Sequence, residues 1–116
     1  MDKFEILKVK NTLIYIVQLL QAKQWEAIYN LDFRKEISPS EIEESLSLIE
    51  CDLDMLPQEE LAEFDSYETK KQSEIIAEVN LWYNNQRSDY TLSCIIRNND
   101  KYSDRYDFSI ESIHIL

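Results

Sequence analysis

At 116 residues, with 44% hydrophobic and 30% charged side chains, the chain has the length of one ordinary domain and too much apolar content to stay disordered. Its net charge is −11 and it contains no glycine. The first property disfavours nucleic acid and anionic lipid as partners, and the second excludes a P-loop, a dinucleotide fingerprint and any phosphate cradle that needs close backbone approach.

The N-terminal segment predicts a helix from Lys3 to Ala22. Ile6, Val9, Leu13, Ile16 and Leu20 recur at steps of three or four, with Leu7, Ile14 and Val17 widening the stripe. Asp2 and Glu5 have capping-box spacing at its start. The apolar run from Leu13 to Leu20 is interrupted by Gln18, far short of the roughly 20 residues that cross a bilayer. Acidic residues in Met1-Asp2-Lys3-Phe4-Glu5 stand where a secretory signal needs a basic start, so a cytosolic protein is expected.

A second, shorter helix carries Trp25, Ile28 and Tyr29 on one face and is expected to end near Asn30. The third has the clearest start in the chain: Ser38 as cap, Pro39 at the first helical position and Glu41 three residues after the cap. Its apolar face is Ile42, Leu46 and Ile49. Residues 51–73 read as an acidic connection, in which Leu53-Asp54-Met55-Leu56-Pro57 suggests a short edge strand.

From residue 74 to 116 the period becomes two. Ile75, Ala77, Val79, Leu81 and Tyr83 alternate with Ile76, Glu78, Asn80 and Trp82. After the Asn84-Asn85-Gln86-Arg87 turn, a second strand sets Tyr90, Leu92, Cys94 and Ile96 on one side. A third follows Asn98-Asn99-Asp100-Lys101 with Tyr106, Phe108 and Ile110 in phase. Ile113 and Ile115 fall in the opposite phase, which a bulge near Glu111-Ser112 reconciles. With no glycine, Asn84-Asn85 and Asn98-Asn99 are expected to supply the left-handed backbone at the two turns. The fold class is α+β: a single domain, 1–116, with two or three N-terminal helices (1–50) packed on a C-terminal antiparallel sheet of three to four strands.

The charge is unevenly placed. Between Glu36 and Glu68 lie twelve acidic residues and no lysine or arginine: Glu36, Glu41, Glu43, Glu44, Glu50, Asp52, Asp54, Glu59, Glu60, Glu63, Asp65 and Glu68. The other 83 residues hold 12 basic and 11 acidic groups. Such a run is often only a solvated face. It also destabilises the compact state by self-repulsion, which a cationic partner would relieve. Glu43, Glu44, Glu50, Asp52, Asp54, Glu59, Glu60, Glu63, Asp65 and Glu68 are therefore the candidate partner-binding residues. Trp82 is the candidate aromatic anchor; for it, as for Tyr102, core and interface are both open.

Catalysis is not expected. One histidine, His114, and two distant cysteines give no metal-ligand spacing, and neither a metal nor a cofactor is called for. Without a secretion signal, Cys51 and Cys94 are expected as reduced thiols packed like small hydrophobes. A thiol triad of Cys94, His114 and Asp89 is disfavoured because Cys94 lies in the apolar phase of its strand. Asp89 and His114 alone are either a structural strand-end clamp or a dyad for hydrolysis.

Leu81-Trp82, then Arg87-Ser88-Asp89-Tyr90-Thr91-Leu92, then Ile113-His114-Ile115-Leu116 at the end resemble the closing pattern of an uncharacterised family of small bacterial domains. Tyr90 stands where that family has an aliphatic residue, and the Asn84-Asn85 turn lacks the expected glycine. In type the whole chain also resembles immunity proteins of contact-dependent growth inhibition and related polymorphic toxin systems, which are short, acidic and without catalytic residues. That resemblance implies a 1:1 complex of a monomer with a basic nuclease toxin domain, an RNase for example. The alternatives are a regulatory or adaptor domain that binds another protein, and a hydrolase built on Asp89 and His114.

Overall fold

The computed structural model describes residues 1–71 and 73–115. Four helices, α1 (Lys3–Gln21), α2 (Trp25–Leu31), α3 (Pro39–Ser45) and α4 (Gln58–Ala62), precede or flank four strands, β1 (Asp65–Glu68), β2 (Glu74–Tyr83), β3 (Gln86–Arg97) and β4 (Asp107–Ile115). The strands form one antiparallel sheet in the order β1-β2-β3-β4. The α+β class expected above is the one observed.

Helix α1 begins where its cap requires. Asp2 Oδ1 accepts from the Glu5 amide at 2.8 Å, and the Glu5 carboxylate accepts in return from the Asp2 amide. Its buried stripe of Val9, Leu13, Ile16, Val17 and Leu20 shares one core with Ala77, Val79 and Leu81 of β2, Leu92, Cys94 and Ile96 of β3, and Phe108 and Ile110 of β4. Ile28 and Ile42 attach α2 and α3 to the same core. Each buried Val, Leu, Ile or Phe among them contributes about 2 kcal/mol by leaving water. The helix ends on a turn in which Lys23 donates to Leu20 O and Gln24 to Leu19 O, with Lys23 at φ 57°. Glycine usually occupies that position because it alone takes positive φ without cost.

Helix α3 has the expected reciprocal cap between Ser38 and Glu41 but stops at Ser45, short of Ile49. Leu46, Ser47 and Ile49 donate to carbonyls only three residues back. The Ser45 and Ser47 hydroxyls meanwhile donate to the Glu41 and Glu44 carbonyls, the competition that shortens helices at serine.

The hairpin turn is Asn84-Asn85 alone, at φ 54° and 58°, the mirror-image turn whose twist suits paired strands. Asn98-Asn99 is not left-handed as expected; among the described residues the remaining positive φ values belong to Lys23 and Lys35. The bulge falls where the phase change required it: Ser93 faces Ser112 and Cys94 faces Ile110, leaving Glu111 as the extra residue. A second irregularity sets Ser88, Asp89 and Tyr90 of β3 against Leu81 of β2.

Residues 53–57 form no strand. The edge strand is β1, whose four exposed residues, Asp-Ser-Tyr-Glu, are too short and polar to show an alternation. Asp54 nonetheless donates its backbone N–H to Trp82 O at 2.8 Å, closing the part of the β2 edge that β1 does not reach. The far edge of the sheet is closed by the segment after α2. Phe33 N–H donates to Phe108 O at 3.1 Å, and the buried Asp32 carboxylate accepts from the Ile110 amide at 2.9 Å. Unpaired strand edges invite wrong pairings, and both clamps act against them. Among the described residues no helix is long and apolar enough to cross a membrane.

Candidate functional site

The twelve acidic residues of the Glu36 to Glu68 segment do not share one environment. Glu60, on α4, is 4% exposed and turned inward. Its Oε2 accepts from the Asn80 amide at 3.1 Å. Its Oε1 accepts from the Trp82 indole at 2.9 Å and pairs with Arg87 Nε at 2.9 Å. Arg87 Nη2 donates to Asn80 Oδ1, and Asn80 Nδ2 to Ser88 O, both at 2.9 Å. This network holds the irregular stretch of the hairpin, where the strand ladder alone leaves backbone groups unpaired. Asp54 does similar work at the tip: its Oδ2 accepts from the Asn85 amide at 2.7 Å. Two of the candidate partner-binding carboxylates are thus committed to the backbone.

Trp82 is not an exposed anchor either. It is half-buried, packs against the core and spends its N–H on Glu60. Tyr102 is covered by the Arg105 guanidinium, which lies 3.7 Å from its ring centre and 4.3 Å from that of Tyr15.

Apart from Glu36 and the α3 cap residue Glu41, the exposed carboxylates fall into two groups. Glu59, Glu63, Asp65 and Glu68 stand on α4, on β1 and between them. Glu43, Glu44, Glu50 and Asp52 come together around a groove of about 540 Å³ whose apolar wall includes Trp25, Leu46, Ile49 and Leu53. A second hollow of about 340 Å³ continues it along α2 and α3, sharing Lys23, Trp25, Ser40 and Glu43 and adding Glu26. Among the described residues Lys23 is the one cation lining either hollow. The turn that ends α1 places Lys23 there, and the chain after the short α3 brings Glu50 and Asp52 to the same trough as Glu43 and Glu44. Trp25 was legible only as the apolar face of α2. Its place among carboxylates depends on the α2–α3 packing, of which no local pattern in the sequence speaks.

Four carboxylates around a half-buried indole can hold a cation, through charge and through the ring face. Among the described residues no three His, Cys, Asp or Glu side chains are grouped to hold a metal ion.

Asp89 and His114 make no hydrogen bond to each other among the described residues. His114 faces Thr91 across the β3–β4 pair, and its Nδ1 shares a hydrogen with Ser112 Oγ at 2.9 Å. Cys94 is fully buried, with its Sγ 3.5 Å from Ala77 O, and burial pushes its thiol up to about 12. It stays protonated and inert at neutral pH. Cys51, by contrast, is exposed and not packed as expected, and the two thiols are free.

Sequence reasoning missed the buried Asp32. Besides the Ile110 amide, its carboxylate accepts from the Arg34 and Lys35 amides at 2.9 Å each. The same loop reaches the sheet's charged end row, where Glu74, Arg97 and Asp107 lie side by side on β2, β3 and β4. Arg34 pairs with Glu74 at 2.9 Å, Arg97 with Asp107 at 3.5 Å, and the Arg97 guanidinium stacks 3.8 Å from the Phe33 ring centre. An aspartate just after a short helix was the only local signal.

A family model described as a domain of unknown function (DUF7668) matches residues 17–116. The chain belongs to that family, which agrees with the uncharacterised family its closing motifs resemble. No curated protein and no solved structure matches it.

Proposed function

We propose that this DUF7668 domain is a non-catalytic binding module that captures a basic protein, acting as an immunity protein that holds a nuclease toxin domain inactive. The reading rests on the groove in which Glu43, Glu44, Glu50 and Asp52 gather around Trp25 against a single lysine. A nuclease needs a cationic surface to hold phosphates. A row of carboxylates occupies such a surface by the same charge logic, steering the two proteins together and excluding the substrate. Trp25 and Ile49 supply the desolvated centre that charge alone lacks. Compared with the expectation from sequence, this binding set leaves out Asp54, Glu60 and Trp82, which are tied to the hairpin, and Glu59, Glu63, Asp65 and Glu68, which do not line the groove, and it adds Trp25 and Ile49.

The test is co-expression with the product of the adjacent upstream gene, followed by pull-down at low and high salt. A complex is expected that weakens steeply with salt. The combined variant Glu43→Lys/Glu44→Lys/Glu50→Lys/Asp52→Lys is expected to weaken it by about 100-fold or more and to restore nuclease activity. A complex indifferent both to salt and to the four reversals ends this reading. A complex with a basic protein that has no toxic activity replaces it with the adaptor reading.

A further inference from the structure

The two tryptophans differ in what their indole N–H groups meet. That of Trp82 is spent on Glu60. That of Trp25 donates to no acceptor among the described residues, where the Thr91 hydroxyl is the one buried polar side-chain atom left unpartnered; the Trp25 N–H is therefore open to water. The same ring packs against the core and lines both hollows of the trough, one of about 540 Å³ and one of about 340 Å³.

The charges around it are equally unspent. Glu43, Glu44, Glu50 and Asp52 of the larger hollow and Glu26 of the smaller take part in no ion pair among the described residues. Lys23 lines both hollows and pairs with none of them. Leu46, Ile49 and Leu53 add apolar wall to the larger one.

We infer that the trough takes an arginine side chain carried on an extended segment of the partner. The guanidinium lies on the Trp25 ring among the carboxylates, and a backbone carbonyl of the segment accepts from the Trp25 N–H. This rests on the reading of the groove as the partner site and names the chemistry the groove selects. An ammonium is compact and strongly hydrated, so it gains little from a half-apolar cavity. A guanidinium is planar and weakly hydrated, stacks on aromatic faces and meets a carboxylate through two parallel N–H donors. Indole is the best ring for that contact, and the leucine and isoleucine wall suits the methylene stem. The chain's own cations show the difference. Arg97 stands 3.8 Å from the Phe33 ring centre and Arg105 3.7 Å from that of Tyr102, whereas Lys8 stands 4.4 Å from Tyr106 and 6.0 Å from Phe4.

The open indole N–H separates a peptide from a free cation. At an interface such a donor ordinarily finds an acceptor. An incoming anion is repelled by the surrounding carboxylates, which leaves a neutral acceptor, the peptide carbonyl. Because Trp25 lines both hollows, the segment runs across it from one to the other. A surface that grips phosphates relies on arginine for the same forked geometry, so the groove meets a residue that a nuclease presents.

Nitrogen–proton correlation NMR of the full chain tests this, since the two indole signals report the groove and the Glu60 contact separately. Acetyl-Gly-Arg-Gly-amide is expected to move the Trp25 signal with a Kd of about 1 mM and to leave that of Trp82 in place. The corresponding lysine peptide is expected to bind about fivefold more weakly. The neutral citrulline peptide, and free L-arginine, whose carboxylate the groove repels, should bind more weakly still. Trp25→Phe keeps a ring and removes the N–H; followed at the Glu43 and Glu50 amides, it should keep the arginine preference and bind the peptide about threefold more weakly. Equal affinity for the arginine and lysine peptides overturns the inference. So does free arginine that binds as tightly as the peptide, or a Trp25 signal that no peptide moves. Unchanged affinity in Trp25→Phe overturns the backbone contact, and the four probes on the unaltered chain do not depend on how that variant folds. A partner complex that the four charge reversals abolish, while both peptides bind alike, removes the arginine and leaves the charge-driven reading of the groove.

Discussion

Two sets of carboxylates in this molecule are chemically alike and physically opposite. Asp32, Asp54 and Glu60 are turned onto backbone amides of the sheet, where each completes hydrogen bonds that strand pairing leaves open. Glu43, Glu44, Glu50 and Asp52 surround a groove and face water. Removing Asp32 or Glu60 strands donors shielded from water, each at a cost of about 1–3 kcal/mol, whereas the Asn85 amide that Asp54 holds is exposed and costs less to leave. Removing one of the second only lowers a repulsion between like charges. A count of acidic residues along the chain merges the two, and only their partners separate them.

The largest effect that sharpens this contrast is on stability. Glu60→Ala leaves the Asn80 amide and the Trp82 indole without an acceptor and should cost about 3 kcal/mol, a large fraction of the roughly 5–15 kcal/mol of a typical domain. Its exposed neighbour Glu59→Ala should change stability by less than about 0.5 kcal/mol. Denaturant unfolding of the pair checks this, and equal losses would erase the distinction between inward and outward carboxylates. Lys23→Gly should act in the opposite direction, stabilising by up to about 1 kcal/mol because glycine takes the positive φ at the end of α1 freely. It also removes the groove's lone cation, so a basic partner should bind it somewhat more tightly than the unaltered chain.

Smaller effects follow in titration and reactivity. The Ser38 amide and hydroxyl hold the Glu41 carboxyl below its usual range. A depressed folded pKa means the cap's contribution is present above the ordinary carboxylate pKa and is lost as pH falls through the depressed value. Ser38→Ala should therefore raise the Glu41 titration midpoint seen by NMR toward that of an unstructured glutamate. With its thiol pushed up to about 12 inside the core, Cys94 should resist alkylation at pH 8 in the folded protein while Cys51 reacts. Two reactive thiols without denaturant would contradict the packing of β3.

The parts of the fold that the sequence made legible are those written in local periodicity. The α1 stripe and its cap, the start of α3, the hairpin and the bulge at Glu111 each follow from residues within one or two turns or strands of one another. What escaped was carried by contacts between distant residues. Asp32 reaches Ile110 and Glu60 reaches Asn80, Trp82 and Arg87, so nothing near either residue marks it as a clamp. Apolar residues signal an edge strand at Leu53 to Pro57, whereas β1 is held by backbone pairing with side chains that stay in water. Of the candidate site, the excess of acid was visible and its division was not. Nothing local to Trp25 on its helix or to Trp82 on its strand tells where the ring goes; it is the packing of α2 on α3, and of α4 on β2, that sends one to the groove and the other to Glu60.

The central claim, that the outward carboxylates around Trp25 bind a basic partner while the inward ones build the sheet, is tested most directly by the salt dependence of partner affinity. Titration calorimetry with the upstream-encoded protein should give a log–log slope that flattens markedly in Glu43→Lys/Glu44→Lys/Glu50→Lys/Asp52→Lys, with the melting temperature unchanged. It should not change in Glu59→Lys/Glu63→Lys, which alters charge away from the groove. An identical slope in both variants, or a fall in affinity that tracks unfolding, would contradict it.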